Sequence, residues 1–433
     1  MTFASTRSPE KVTGLREALF RGLAPDGGLY HPVEKPDLSA VFGSFEPDAP
    51  FVEVATRLVS ALFPDEFGSE KARKICEEAF PFSPELSWVS EGHAILELYH
   101  GPSCAFKDFG ASFLATLMQH YLADGNERAV ILTATSGDTG SAVAQAFLGR
   151  ENIDVVILYP SGRVSPLQEK QLTTLGENIH ALEVTGSFDD CQRMAKEAFM
   201  DSGLRLGSRL TSANSINLGR LLPQSFYYVY GRLLARCPLP YFCVPSGNFG
   251  NLTAGVLASE WGLPVRRFIA ATNINDVVPE YLATGSYYPR ASERTLSNAM
   301  DVGNPSNFER LEAIFARNPE AMRQRIVGEV VTDSQTLRVI RRYHEEHHRF
   351  FDPHTATGVL AAERLLSRES GATVITLATA HPAKFLEIVE EATGVRPSIP
   401  ERLSRLLARE KLATVVGPDY RELKTFLTDR FGG

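Results

Sequence analysis

One lysine in this 433-residue chain stands in a setting suited to covalent chemistry. Lys107 lies in Gly101-Pro102-Ser103-Cys104-Ala105-Phe106-Lys107-Asp108-Phe109-Gly110. A short apolar run precedes it (Ala94, Ile95, Leu96, Leu98, Tyr99) and a helical pattern follows, from Ala111 to Leu122. The lysine thus falls at a strand-to-helix turn, flanked by Phe106 and Phe109. Apolar surroundings disfavour an ammonium and release a neutral amine, the form that condenses with a carbonyl to a Schiff base. A surface lysine opening a helix is the plain alternative, and Lys107 alone does not choose between the two.

Three further loops hold candidate binding groups. Pro245-Ser246-Gly247-Asn248-Phe249-Gly250-Asn251 combines glycines, which let a backbone approach a ligand, with a helix start, whose free N–H groups suit a phosphate. It lacks the Lys-Ser/Thr ending of a P-loop and the G-x-G-x-x-G spacing of a dinucleotide fold, and a tight strand-helix turn is its plain reading. Ser136-Gly137-Asp138-Thr139-Gly140 is a second, hydroxyl-rich helix start. It could hold a substrate carboxylate or a polar ring substituent, or simply cap its helix. Thr379, before Ala380-His381-Pro382, offers a hydroxyl to a ring nitrogen or to a helix cap.

A fifth pattern, His344-Glu345-Glu346-His347-His348, matches the H-E-x-x-H of helical zinc hydrolases. On a helical wheel, however, Val339, Ile340, Tyr343 and Phe350 share an arc with His347. His344 and His348 fall at its margin, beside Arg341 and Arg342, whose charge opposes a divalent metal. No third ligand suggests itself, so the segment reads as an amphipathic helix without a metal.

The loops need strands to position them. Ala129–Thr133, Asp154–Tyr159 and His180–Val184 are short apolar runs, each followed by a Gly- or Ser-rich turn and a helical pattern, with Ser187-Phe188-Asp189-Asp190 capping the last. Such alternation predicts right-handed βαβ units and a parallel sheet. Tyr241–Val244, Arg267–Ala271 and Thr373–Leu377 predict a second sheet, with polar Ser208–Asn217 as the crossing between the two. All four loops then fall at carboxyl ends of strands, where open α/β sheets bind ligands. Before them, Leu15, Ala18, Leu19 and Leu23, then Phe51–Phe63 and Ser69–Phe80, recur at helical spacing between breakers such as Ala24-Pro25-Asp26-Gly27-Gly28. The expected class is α/β with two open parallel-sheet domains. A mainly helical segment covers 1–92, a first domain with Lys107 and the smaller sheet covers 93–207, and a second, larger domain with the glycine loop covers 208–433.

Composition narrows the setting. With 43% apolar and 22% charged residues the chain suits sizeable buried cores. A net charge of −8 without a dense Lys/Arg tract argues against nucleic acid and anionic membrane as partners. No run reaches about 18 apolar residues, so no membrane span is expected. Met1–Gly14 lacks the apolar core of a signal peptide. Five scattered cysteines without a C-x-x-C pair read as reduced thiols, and these features together predict a cytoplasmic protein. Cys104, three residues before Lys107, reads as a buried packing residue.

Taken together, the Lys107, Thr135–Gly140, Ser246–Asn251 and Thr379–Phe385 segments resemble the threonine synthase family, within the fold type II enzymes dependent on pyridoxal 5'-phosphate. The resemblance spans nearly the whole chain. It includes Gly22-Leu23-Ala24-Pro25-Asp26-Gly27-Gly28-Leu29-Tyr30, Thr211-Ser212-Ala213-Asn214-Ser215-Ile216-Asn217 and Ala299-Met300-Asp301-Val302-Gly303-Asn304-Pro305. One departure is Ser8, where glycine is expected. The resemblance implies that Lys107 carries the cofactor as a Schiff base and moves substrate protons. It implies that Gly247, Asn248, Phe249, Gly250 and Asn251 cradle the cofactor phosphate and that Thr379 meets the pyridine nitrogen. Asp138 takes a slot where relatives in the wider fold often have asparagine near the ring hydroxyl, which leaves its role open. Ser136 and Thr139 are implied for the substrate, and Asn214, Ser215, Asn217 and Arg220 for the substrate's own phosphate.

The implied reaction converts O-phosphohomoserine and water to L-threonine and phosphate, in a monomer or homodimer. Two alternatives use the same parts. One is a phospho-lyase that releases 2-oxobutanoate from that substrate. The other is a non-catalytic homologue kept as a binding module, against which an intact lysine and phosphate loop argue. A zinc hydrolase is the third rival.

Overall fold

A computed structural model describes residues 1–123, 125 and 127–432. They form two compact units. One comprises His31–Phe106 and Leu221–Ser398 with Met1, the other Thr2–Tyr30, Lys107–Arg220 and the chain from Ile399 on.

The first unit is built on a six-stranded sheet. Its order is Ile326–Val330, Phe268–Thr272, Tyr241–Pro245, Val374–Ala378, His93–Glu97, Glu85–Ser90. All neighbours are parallel except the last two, which form a hairpin. Phe268–Thr272, Tyr241–Pro245 and Val374–Ala378 bury every residue, which is why they read as unbroken apolar runs rather than alternations. The two outer strands are partly exposed and carry no such run to announce them.

The second unit holds a five-stranded, all-parallel sheet in the order Ala413–Val416, Ile179–Val184, Ile153–Pro160, Ala129–Ala134, Arg209–Thr211. Val130, Leu132, Val156, Leu158, Leu182, Met194 and Leu423 are among its buried core. Side chains of that size each stabilise by about 1.5–3 kcal/mol when fully buried. Helix Phe188–Met200 opens with the expected cap: the Asp190 N–H donates to Ser187 Oγ (3.2 Å) and the Ser187 N–H to the Asp190 carboxylate (2.9 Å).

Several placements differ from expectation. Strand His93–Glu97 joins the larger sheet, pairing Leu96 with Leu377, rather than a first domain over 93–207. Arg209–Thr211 is an edge strand of the smaller sheet, paired with Ala129–Ile131, not an irregular crossing. The units also interleave along the chain instead of following 1–92, 93–207 and 208–433. The chain leaves the first unit after Phe106, re-enters it at Leu221, and returns to the second at Ile399, where Ala413–Val416 completes the smaller sheet. The reason is physical: an apolar run marks a strand locally, whereas its neighbours are chosen by pairing far along the chain. The first 92 residues are helical over Leu15–Arg21, Phe51–Leu62 and Ser69–Ala79, yet they also supply strands at Phe3–Ser5, Val12–Thr13 and Glu85–Ser90. Among the described residues no helix is long and apolar enough to cross a membrane.

Candidate active site

Three loops leave the carboxyl ends of three adjacent strands of the larger sheet, where ligands of open α/β sheets bind. The glycine loop follows Tyr241–Pro245 and is held from inside. The Ser246 N–H donates to the Ala271 carbonyl (2.9 Å) and Asn251 Nδ2 to the Pro245 carbonyl (2.8 Å), while Asn251 Oδ1 accepts the Leu252 N–H (2.9 Å). Asn248 is tied to the next loop, its Oδ1 accepting the Ser306 N–H (2.6 Å) and its carbonyl the Asn307 N–H (3.3 Å). Buried Phe249 adopts the left-handed conformation (φ +60°) and turns the chain into helix Gly250–Glu260. A Cβ on Gly247 would lie 2.6 Å from both the Ala299 carbonyl oxygen and Met300 Cα, so only glycine fits. Among the described residues no backbone acceptor takes the N–H of Gly247, Phe249 or Gly250, which leaves donors for an anion at a helix start. The Asn248 and Asn251 side chains are engaged in shaping the loop.

Arg310 stands close by and carries no sequence signal, since an arginine in helix Phe308–Ile314 reads as solvent-facing. It is fully buried, and its Nη1 donates to Asn307 Oδ1 (2.6 Å). Burial draws its pKa down to about 9, which keeps it cationic at neutral pH. A positive charge is thus fixed one hydrogen-bonded residue away from Asn248.

Thr379 follows Val374–Ala378 and is 6% exposed. Its N–H donates to Thr355 Oγ1 (3.3 Å), and its carbonyl accepts the Phe106 N–H (2.9 Å). The turn after it is capped by His381, whose Nδ1 accepts the Ala383 N–H (3.1 Å), so the Thr379 hydroxyl is not the cap. Cys104 is buried in a left-handed conformation (φ +58°), and its carbonyl accepts the His381 N–H (3.0 Å). These bonds fix the backbone that runs into Lys107.

In the second unit, Lys107 opens helix Lys107–Leu122. Its Nζ lies 3.8 Å from Asp138 Oδ2, with side chains 18% and 5% exposed respectively. Phe109 is buried as expected, but the amine's surroundings are not purely apolar, because a carboxylate faces it. Asp138 begins helix Asp138–Phe147 and accepts from Gln168 Nε2 (3.0 Å) through its other oxygen. Gln168 belongs to a capping box with Ser165 at the start of helix Pro166–Thr173. That box is legible as Ser165-Pro166-Leu167-Gln168, although its reach to Asp138 is not. Gly137 adopts φ +142°, and a Cβ there would sit 2.6 Å from the Gln168 amide nitrogen. Thr135 Oγ1 gathers the N–H groups of Gly137 (3.0 Å) and Gly140 (2.8 Å). Ser136 is exposed and Thr139 half-buried.

The loop after Arg209–Thr211 divides in role. Asn214 and Ser215 are half-buried, and among the described residues Asn214 Oδ1 is buried without a hydrogen-bond partner. Asn217 is fully buried. Its Nδ2 donates to the carbonyls of Leu19 (2.9 Å) and Ser212 (2.8 Å), and its Oδ1 accepts the Gly219 N–H (2.9 Å). Arg220 is also buried, and its Nη1 donates to the Ala213 carbonyl (2.5 Å). Burial lowers its pKa to about 10, opposed by the charge of Asp108. The side chains of Asn217 and Arg220 therefore hold the loop from within.

The zinc-like pattern does not survive as a helical pair. Helix Asp333–His347 stops before His348, which takes the left-handed conformation (φ +51°), and His344 stacks on Phe350 (4.6 Å, 19°).

The chain is similar to known proteins along nearly its whole length. Residues 93–380 match the family of pyridoxal-phosphate dependent enzymes, residues 2–80 the threonine synthase N terminus, and residues 355–427 the threonine synthase C-terminal region. The chain is 41% identical to threonine synthase of Haemophilus influenzae over 433 residues, 99% of each chain. Its fold matches the crystal structure of pyridoxal-phosphate-bound threonine synthase from Brucella melitensis with a TM-score of 0.92, at 36% identity over 100% of both chains. It matches threonine synthase from Escherichia coli with a TM-score of 0.91, at 39% identity over 99% of this chain and 100% of the other. Among the described residues, the N–H groups of Gly247, Phe249 and Gly250, which no backbone acceptor takes, lie in a cradle closed to any Cβ and suit the phosphate of pyridoxal phosphate. The metallohydrolase alternative falls. With its structure a mixed α/β fold of type II, the chain belongs to the threonine synthase family of pyridoxal-phosphate-dependent lyases.

Proposed function

We propose that the protein converts O-phosphohomoserine and water to L-threonine and phosphate, with Lys107 as the residue that binds the cofactor and carries protons. One observation supports this best. Among the described residues, a loop that runs to Phe106 just before Lys107, a loop whose Gly247, Phe249 and Gly250 N–H groups meet no backbone acceptor, and a loop with a buried hydroxyl leave three neighbouring strands of one sheet.

Bound pyridoxal phosphate supplies the conjugated electron sink that makes the substrate's α-proton removable. The rest falls to the chain's own groups. The N–H groups of Gly247, Phe249 and Gly250 hold the cofactor phosphate, Asn248 and Asn251 set the loop's shape, and buried Arg310 adds positive charge nearby. Thr379 meets the ring nitrogen as a neutral partner. Lys107 Nζ takes the proton from Cα and returns it, and Asp138, oriented by Gln168, keeps that amine in place. Over the whole reaction Cβ loses one proton, the Cγ–O bond breaks to release phosphate, water delivers its hydroxyl to Cβ, and Cγ gains a proton. Ser136, Thr139, Asn214, Ser215 and Arg220 are the groups assigned to the substrate, with the Asn217 amide, bonded to the carbonyls of Leu19 and Ser212, supporting the Asn214 loop.

The test is to incubate the purified protein with O-phosphohomoserine and identify the organic product. Threonine and phosphate in equal amounts are expected. Release of 2-oxobutanoate would make the protein a phospho-lyase, and absence of any turnover would leave only a binding module.

A further inference from the structure

The polar support beneath the two cofactor loops of the larger sheet traces to one helical turn. Helix Pro353–Leu366 packs on Tyr241–Pro245 and Val374–Ala378 so closely that a Cβ on Gly358 would come within 2.9 Å of side-chain carbons of Pro245 and Thr376. Cys243 Sγ also donates to the Gly358 carbonyl (3.1 Å). As a crossover leading into Val374–Ala378, the helix runs against the strand direction, which brings its first turn to the strands' carboxyl ends. That end carries Asp352, His354 and Thr355, all buried to 3% exposure or less.

Asp352 is the helix cap. It accepts the N–H groups of His354 (2.9 Å) and Thr355 (3.4 Å), and it also accepts from the Thr355 hydroxyl. Its Oδ1 lies 2.7 Å from His354 Nδ1. A carboxylate at Nδ1 fixes the tautomer with its proton there and leaves Nε2 as an acceptor. Nε2 takes the Ala299 N–H at 3.1 Å. Ala299 is the residue whose carbonyl, together with Met300 Cα, fills the space beside Gly247. Thr355 Oγ1, having donated to Asp352, accepts the Thr379 N–H at 3.3 Å. A cap alone needs only the Asp352 side chain; the imidazole acceptor and the threonine relay extend it to two separate loops.

We propose that Asp352, His354 and Thr355 are positioning residues for the cofactor: His354 sets the phosphate loop through Ala299, Thr355 sets the Thr379 hydroxyl, and Asp352 orders both. The inference rests on the assignment of the Gly247 loop and Thr379 to pyridoxal phosphate.

The experiment uses the holoenzyme and three variants, His354→Leu, His354→Gln and Thr355→Val. Each is followed by phosphorus NMR of the bound cofactor, the rate of cofactor release, the visible absorption band, and thermal unfolding of the cofactor-free protein. His354→Leu is expected to speed release by about tenfold or more and to move the phosphorus resonance toward that of free cofactor. Gln, whose carbonyl can still accept the Ala299 N–H, restores most of the wild-type values. Thr355→Val leaves the phosphorus resonance in place and shifts the visible band. If His354→Leu yields no folded protein, Ala299→Pro, which deletes the donor and leaves the buried pair intact, carries the same expectation. A His354→Leu protein that unfolds earlier but keeps the wild-type resonance and release rate would overturn the proposal, as would equal losses in the Leu and Gln variants. A wild-type protein with no bound phosphorus resonance and no visible band defeats the cofactor assignment itself, before any substitution is made.

Discussion

Gln168 donates from Nε2 to one oxygen of Asp138 at 3.0 Å, and the other oxygen of Asp138 stands 3.8 Å from Lys107 Nζ. A helix-capping glutamine therefore orients the carboxylate that faces the Lys107 amine. Replacing it with leucine keeps the bulk and removes a hydrogen bond to a charged acceptor, a bond worth about 1.5–3 kcal/mol. Gln168→Leu is predicted to retain bound cofactor while kcat falls about tenfold or more, through misplacement of Asp138 and the amine. Steady-state kinetics with cofactor content measured on the same samples checks this. An unchanged kcat would show that Asp138 needs no such partner.

Gly247→Ala introduces a Cβ within 2.6 Å of two backbone atoms, the Ala299 oxygen and Met300 Cα. Neither atom belongs to a side chain that can swing aside, so the loop itself must move. The expected result is weaker cofactor binding by about a hundredfold, since a misplacement of about 1 Å in a binding constellation has effects of that size. Titration of cofactor-free protein with pyridoxal phosphate reads it directly. Wild-type affinity in this variant would mean that the loop does not contact the cofactor.

In the proposed assignment, a neutral hydroxyl at Thr379 would not hold the ring nitrogen protonated as a carboxylate does, and so would moderate the electron sink. Thr379→Asp should increase conversion of the bound cofactor to its amino form during turnover, a side reaction that a stronger sink prolongs. Chromatography of the released cofactor after many turnovers measures it. No increase would remove the proposed reason for having threonine at this position.

His93 joins two strands, its Nε2 lying 2.9 Å from Thr376 Oγ1. Burial pulls its pKa from the ordinary 6.5 down to about 4. The folded state then holds His93 neutral while the unfolded chain takes up a proton below 6.5. This contribution is fully present above pH 6.5, is lost as the pH falls from 6.5 to about 4, and levels off below that. It amounts to about 3 kcal/mol at most. Denaturant unfolding across this window should show a shallower pH dependence for His93→Gln than for the wild type. Parallel curves would assign the acid sensitivity to other groups.

The loops proposed to carry the chemistry stand out in the sequence because each brings unusual residue types together: glycines at Gly247 and Gly250, hydroxyls around Asp138, a lysine between phenylalanines. The cap at Ser187 and the fully buried central strands were legible for the same local reason. What stayed hidden depends on contacts distant in sequence. Nothing near His93–Glu97 tells that its neighbour is Val374–Ala378, and of the half-exposed edge strands, Ile326–Val330 is interrupted by Gly328 and Glu329 while Ala413–Val416 is only four residues long. Gln168 reads as a helix start and Arg310 as a surface charge, until folding places one on Asp138 and buries the other beside Asn307. Asn217 shows the reverse: a polar residue in a promising loop whose amide donates to two backbone carbonyls.

The central claim is that one amine, Lys107, holds the cofactor. Borohydride reduction of the coloured protein, followed by digestion and mass spectrometry, tests it most directly. The prediction is loss of the visible band and a single reduced pyridoxyl adduct on Lys107. A colourless protein after incubation with pyridoxal phosphate, or an adduct on another lysine such as the buried Lys384, would contradict it.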